Sequence, residues 1–297
     1  MAVMRELVAK GKRVTMVNRR GVATVPDGVR MMQGDATDPA ATRALCAGAS
    51  VVYACVNVPY TDWPRLFPPL QAGIVEGAAA AGAKLVVAEN LYMYGPVDKP
   101  LTEDLPYNAH TRKGLVRAQM SAALLDAHRS GKVRVAMGRA SDFYGPGVLD
   151  SAAGERTFDA ALNGKQVMLI GALDAPHTYT YIDDFGKALV TLGERDEALG
   201  QAWHVPSAPT VTTRQFLHMV FEEVGRPFNA SAAPGFVIRA MGLFNPMMRE
   251  LAEMLYEFDR PFIVDHSKYA HAFGDTSTPL REGIRRTVAW FRNRPVG

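Results

Sequence analysis

Residues 50–58, SVVYACVNV, form an almost unbroken apolar run. Such a run suits a strand buried on both faces of a parallel sheet, not one with a solvated side. Parallel neighbours need a crossover, which a helix usually supplies, and the chain around this run has that rhythm. Residues 2–10 place Val3, Leu7 and Val8 on one helical face, with Gly11 as a C-terminal stop. Residues 13–17 and 29–33 read as short strands, and 38–48 as a helix opened by Asp38 as N-cap. An Ala-rich helix is expected over 69–82, a strand over KLVVAE (84–89) and another over VRVAMGR (133–139). Between those strands, 111–130 reads as an amphipathic helix with Leu115, Met120, Leu124 and Leu125 inward. This alternation predicts an α/β fold built on a doubly wound parallel sheet.

Past Gly145-Pro146 the pattern loosens into helices at 154–163, 184–194, 212–224, 236–257 and 281–293, with short strands at 166–170 and 201–205. The expected division is a nucleotide-binding Rossmann-like domain over 1–165 and a smaller C-terminal substrate lobe over 166–297, parts of which return to the sheet. Net charge is +3, from 33 Lys and Arg against 30 Asp and Glu, too small and too evenly spread to point to nucleic acid. Cys46 and Cys55 form no CxxC and have no ligand-spaced histidine, so no metal site is expected, and both read as buried, inert thiols. No stretch approaches the roughly 18 apolar residues of a membrane span, and the N-terminus lacks signal-peptide order. No membrane partner is therefore expected, and the cytoplasm is the default location.

Five segments occur in a telling order: GDATD (34–38), AENLYMYGP (88–96), GRASDFYGPG (138–147), YTYIDDFGKALV (179–190) and AWHVPSAPTVTTRQF (202–216). Together they resemble the extended short-chain dehydrogenases/reductases, the branch containing the NAD-dependent epimerases and dehydratases, over nearly the whole chain. The resemblance implies a first strand and a G-x-x-G-x-x-G turn ahead of the helix at 2–10. Counting back about seven residues from Leu7 puts the last glycine before Met1. The expectation is that Met1 is a truncated or misassigned start. A further expectation is that loss of this central strand leaves its two neighbours with unpaired, buried backbone groups.

The resemblance also assigns roles. Asn18, Arg19 and Arg20 end the strand where NAD-preferring members carry an acid. Arginines there would pair with a 2′-phosphate, so the cofactor leans to NADP over NAD; a solvated basic loop is the alternative. Asp35 would accept from the adenine amino group, with Ala36 beside it, and Ala54 and Val56 would run under the cofactor ribose. At the catalytic positions the sequence departs from the family. Asn90 replaces its Ser or Thr, Lys113 its Tyr, and Arg117 its Lys. Two cations a helical turn apart repel, so at least one should meet a phosphate, a carboxylate or solvent; the plainer reading is that both face water. Tyr94 is a candidate proton donor. Ser141, Asp142 and Tyr144 open the substrate loop, Asp183 and Asp184 read as helix caps, and His177 and His204 have no partner evident from spacing. A methionine-rich region around Met241, Met247, Met248 and Met254 reads as core or as an oligomer contact, which leaves a homodimer open. The implied function is NAD(P)-dependent redox or epimerase/dehydratase-type chemistry on a small polar carbonyl or hydroxyl compound. A catalytically silent NAD(P)-binding sensor is the alternative.

Overall fold

The computed structural model describes residues 1–294. In chain order the elements are α1 (Ala2–Ala9), β1 (Thr15–Asn18), β2 (Arg30–Gln33), α2 (Pro39–Cys46), β3 (Val51–Ala54), α3 (Trp63–Ala80), β4 (Lys84–Glu89), α4 (Arg112–Arg129) and β5 (Arg134–Arg139). There follow β6 (Asp142–Tyr144), α5 (Glu155–Leu162), β7 (Val167–Ile170), β8 (Pro176–His177), β9 (Tyr179–Tyr181), α6 (Ile182–Glu194), β10 (Ala202–His204) and β11 (Val211–Thr212). The chain closes with α7 (Thr213–Val224), β12 (Ala230–Ala233), α8 (Gly235–Gly242), α9 (Pro246–Glu253), α10 (Ser267–Phe273) and α11 (Leu280–Asn293).

Two compact units result, and they interleave instead of dividing near residue 165. One comprises Met1–Met93, Arg112–Arg139 and Phe185–Trp203; the other comprises Tyr94–Thr111, Ala140–Asp184 and His204–Gly297. The chain leaves the first unit at the C-terminal ends of β4 and β5 and later returns to it for a strand, which a single cut cannot describe.

In the first unit, β3, β4 and β5 run parallel, with β10 beside β5. Leu85, Val87, Val135 and Met137 from the two central strands meet Ile74, Ala78 and Leu124 from the flanking helices. β1 and β2 form a parallel pair of their own. Between β1 and β3, where the resemblance leads one to expect a further strand, the two sheets are not joined. The expected buried orphan groups do not follow for β1, whose residues are exposed or half-buried, so that its free edge is open to water. Helix α2 instead ties the pair to the rest. Gly73 and Gly77 of α3 let the Ala36 and Thr42 carbonyls approach so closely that a Cβ at either glycine would collide with backbone.

The second unit has its own core, in which Tyr144, Tyr181 and Phe216 meet Phe158, Val220 and Val288. Short strand pairs β6–β9 and β7–β12 run parallel there, and β8–β11 antiparallel. Three sequence expectations are corrected. The helix expected from residue 69 starts at Trp63 and runs through Pro68 and Pro69, because Trp63 and Phe67 anchor its first turns in an apolar cluster. The helix expected over 236–257 breaks into α8 and α9, since Asn245 caps a new start at Pro246 by accepting from the Met247 and Met248 amides. Leu115 is exposed, and the buried face of α4 comprises Lys113, Val116, Arg117, Met120, Ser121 and Leu124.

Candidate active site

The two cations on α4 are buried, Lys113 1% exposed and Arg117 7%, which removes the reading in which both face water. Spacing four apart puts them on one face of α4, and each meets an aromatic ring from the segment that opens α3. Lys113 Nζ lies 4.3 Å from the Tyr60 ring centre. The Arg117 guanidinium lies 4.5 Å from Trp63 and 4.1 Å from Phe67. Trp63 in turn stacks on Tyr92 at 5.5 Å. Cation–π contacts strengthen when water is excluded, to about 2 kcal/mol or more, and Arg117 also feels a carboxylate, one of the expected partners, in Glu89. Burial pushes the Arg117 pKa down to about 10, and the Glu89 carboxylate opposes that shift, so the group stays charged at neutral pH.

Glu89, at the end of β4, is itself buried. It accepts from Arg139 Nε at 2.9 Å, and Arg139 Nη2 donates to Ser121 Oγ at 2.6 Å. This pair sits under the C-terminal ends of β4 and β5, where open α/β sheets place their ligands. A narrow cleft opens at the same ends, with room for little more than a water molecule. Ala54, Val56, Phe67, Gln71, Ala88 and Arg117 line it, so the structure brings Ala54 and Val56 to Arg117. Two buried polar atoms in it have no hydrogen-bond partner among the described residues, Arg117 Nε and Gln71 Oε1.

Other expected residues fall elsewhere. Asn90 Oδ1 accepts from the Tyr92 amide at 3.3 Å and so fixes the turn after β4. At the far end of the first unit Asn18 folds its own turn, accepting from the Arg20 and Gly21 amides, and Arg19 and Arg20 are exposed. The exposed Asp35 accepts from the Thr37 amide and hydroxyl and is held below the usual carboxylate range by these bonds, with Arg19 adding to the effect. Ala36 presses its carbonyl on Gly73, and Asp38 caps α2 as expected. Cys46 is half-buried and Cys55 exposed, so neither is the buried thiol expected.

In the second unit, Tyr94 is fully buried and its hydroxyl meets His204 Nε2 at 2.9 Å. His204 Nδ1 faces the Leu101 and Asp265 carbonyls, so Nδ1 carries the proton and the tyrosine donates. That bond ties the buried hydroxyl to His204. Tyr144, expected to open the substrate loop, is buried and packed on Tyr181 and Phe216. Asp142 pairs with the buried His177 at 2.9 Å, and Ser141 Oγ is buried without a partner among the described residues. Sequence reasoning missed the Asp142–His177 pair because 35 positions separate the two. It also missed Glu257, whose buried carboxyl is raised well above its ordinary range by desolvation and then by Asp142. Asp183 and Asp184 lie in the first turn of α6, and the buried Asp184 also accepts from the Thr278 amide and hydroxyl.

A dinucleotide asks this fold for small residues at the strand ends and for polar groups at its two riboses. Ala54 and Ala88 meet the first demand, and the orphan Arg117 Nε and the exposed Arg19 and Arg20 meet the second. These are the groups such a ligand would meet, although the cleft as it stands admits little more than a water molecule.

Residues 1–205 match the NAD dependent epimerase/dehydratase family. A dTDP-glucose 4,6-dehydratase of Streptomyces griseus is 22% identical over 195 residues, 65% of this chain and 52% of the relative. The chain thus spans about half of that relative's length. Among solved structures, the UDP-glucose 4-epimerase of Thermus thermophilus complexed with NAD superposes with a TM-score of 0.79 at 19% identity, over 99% of this chain and 96% of that one. A dTDP-glucose 4,6-dehydratase from Streptomyces venezuelae with NAD bound gives 0.76 at 16% identity, over 98% and 93%. At such identities these likenesses speak for the Rossmann-like fold.

Proposed function

The chain belongs to the NAD dependent epimerase/dehydratase family, a family of NAD-dependent enzymes, and from that premise we propose that it acts on a small polar carbonyl or hydroxyl compound using Lys113 and Arg117 in place of a tyrosine–lysine pair. The observation that carries this reading is the buried Arg117, with an unpartnered Nε in the cleft lined by Ala54, Val56 and Ala88. When bound, a nicotinamide cofactor supplies the hydride acceptor or donor.

The protein's own groups divide the remaining work. Arg117 stays charged, so it donates a hydrogen bond without losing its proton and favours negative charge developing on a substrate or ribose oxygen. Phe67 and Trp63 exclude water from its faces, which strengthens that interaction. Lys113 is the proton donor in this reading, one turn away. Asn90 orients the turn that carries Tyr92. Arg19 and Arg20, exposed beside Asp35, favour NADP by pairing with a 2′-phosphate.

The burial of Lys113 against Tyr60 favours one other reading, a nucleotide-binding protein without turnover. The variant Lys113→Met separates the two when nucleotide binding and turnover on a panel of carbonyl compounds are measured independently. A fall in turnover of roughly 10²–10⁴-fold with binding intact is expected for a lost general acid. Unchanged turnover would remove Lys113 from the mechanism. No turnover by the unmutated protein, with nucleotide bound, would favour the silent reading.

A further inference from the structure

The narrow cleft beside β3 and β4 is lined by two polar side chains that complement each other and do not bond, Gln71 from α3 and Arg117 from α4. The Gln71 amide nitrogen donates to the Met120 carbonyl at 2.9 Å. That bond decides which end of the amide is which, and it leaves Oε1 buried and without a partner among the described residues. The Arg117 guanidinium lies on the Trp63 and Phe67 rings, and its Nε–H is likewise buried and unpartnered. One orphan acceptor and one orphan donor therefore share the cleft, each held in place by other contacts. Burying such groups unpaired costs free energy, so the pair points to a group that bonds to both. The apolar side chains of Ala54, Leu70, Ile74 and Val87 around them offer no hydrogen bond. Val56 in the same lining is 41% exposed, so the cleft reaches the surface there.

We propose that the cleft seats one ligand hydroxyl, which accepts from Arg117 Nε and donates to Gln71 Oε1, and that Gln71 thereby selects a hydroxyl over a carbonyl, a carboxylate or a phosphate. This selection rests on the reading above, in which Arg117 Nε meets the ligand, and adds the second partner that decides which ligand is held. A hydroxyl is donor and acceptor at a single oxygen. A carbonyl oxygen satisfies Arg117 but sets a second acceptor against Gln71, and an ammonium satisfies Gln71 but is repelled by the arginine. A carboxylate or phosphate repeats the carbonyl's fault and is also too large for a space that admits little more than a water molecule. Sites built to bond a hydroxyl discriminate strongly, because an analogue without it leaves buried groups unpaired. A nucleotide ribose and a small alcohol both carry the required group.

Binding to the full chain, measured in two arms, separates these sources. The first arm compares NADH with its analogue whose nicotinamide ribose lacks both hydroxyls, by calorimetry. The second, without nucleotide, follows the Arg117 Nε–H resonance by nitrogen NMR during titration with isopropanol and with acetone, which share a skeleton and differ in the ability to donate. The hydroxyl-bearing probe is expected to bind at least about tenfold more tightly in one arm, and that arm names the source. The Gln71 side-chain amide resonances should move with that probe and not with its counterpart, a readout that needs no substitution. Gln71→Met keeps the side-chain length and removes the acceptor, so it should bring the two probes within about twofold of each other. Equal affinities in both arms for the unmutated protein, or no binding of either hydroxyl probe, would overturn the proposal and leave the cleft to water. So would Gln71 resonances that answer both probes alike, or a preference that survives in Gln71→Met with an unchanged thermal melt. Hydroxyl preference without turnover would keep the hydroxyl seat and remove the catalytic reading, and turnover without preference would do the reverse.

Discussion

Lys113 and Arg117 are buried at a desolvation cost of several kcal/mol per charge, which makes their surroundings the informative part of the site. Aromatic faces and the Glu89 carboxylate offset that cost. The sequence put both cations at positions of interest through their spacing. It could not reveal the rings over them, because Tyr60, Trp63 and Phe67 lie about fifty residues away and carry no local pattern that names their partner. Arg19 and Arg20 pose the opposite case. Both are exposed and make no ion pair among the described residues, so they hold their places for a ligand or for none. If a 2′-phosphate is their ligand, NADPH should bind more tightly than NADH. Arg19→Ala/Arg20→Ala should erase the difference, each charge-assisted contact contributing on the order of 1.5–3 kcal/mol. Equal titration curves for the two nucleotides on the unmutated protein would leave these arginines as a solvated loop.

At the scale of elements, legibility followed periodicity. The run KLVVAE became β4 residue for residue, because an apolar strand between two helices has few other places to go. Helix α4 was placed correctly and Met120 and Leu124 are buried as expected, but Leu115 is exposed, and two cations and Ser121 share the buried face, where a period of 3.6 leads one to expect only apolar residues. The prolines in α3 and the Asn245-Pro246 pair pull in opposite directions: the first two are overridden by anchoring aromatics, and the second pair is obeyed. Glycines 73 and 77 gave no signal at all, although they fix α2 on α3. Gly73→Ala exposes this role. Helix propensity alone favours Ala by about 1 kcal/mol, whereas the added Cβ would collide with the Ala36 carbonyl, a backbone atom that cannot swing aside. Overpacking of this kind costs about 1–3 kcal/mol, so the contact should win. A lower urea midpoint is expected; a higher one would mean that α2 shifts freely and does not hold the β1–β2 pair.

At the scale of the whole molecule, each unit has its own apolar core, so each can open with its own free energy. A titrating group buried in one unit should therefore register there and not in the other. Glu257 belongs to the second unit and keeps its proton well above the ordinary carboxylate range, chiefly through desolvation. In the unfolded chain the same carboxyl releases its proton at about pH 4.3. The folded form binds the proton more tightly, so this contribution to stability is complete below about 4.3 and is lost as pH rises toward the folded pKa, by up to about 1.4 kcal/mol per pH unit. The variant Glu257→Gln carries no titrating proton and should not show that loss. Hydrogen exchange from about pH 5 to 8, corrected for the intrinsic pH dependence of exchange, compares the two directly. Protection of α7 and α11 in the unmutated protein should decline with pH relative to the variant, while β4 and β5 behave alike in both. Parallel pH dependence in α7 and α11 would show that Glu257 ionises in the folded protein much as it does in the unfolded chain. A matching loss in β4 and β5 would show that the two units open together, and the effect would then belong to the chain as a single cooperative body.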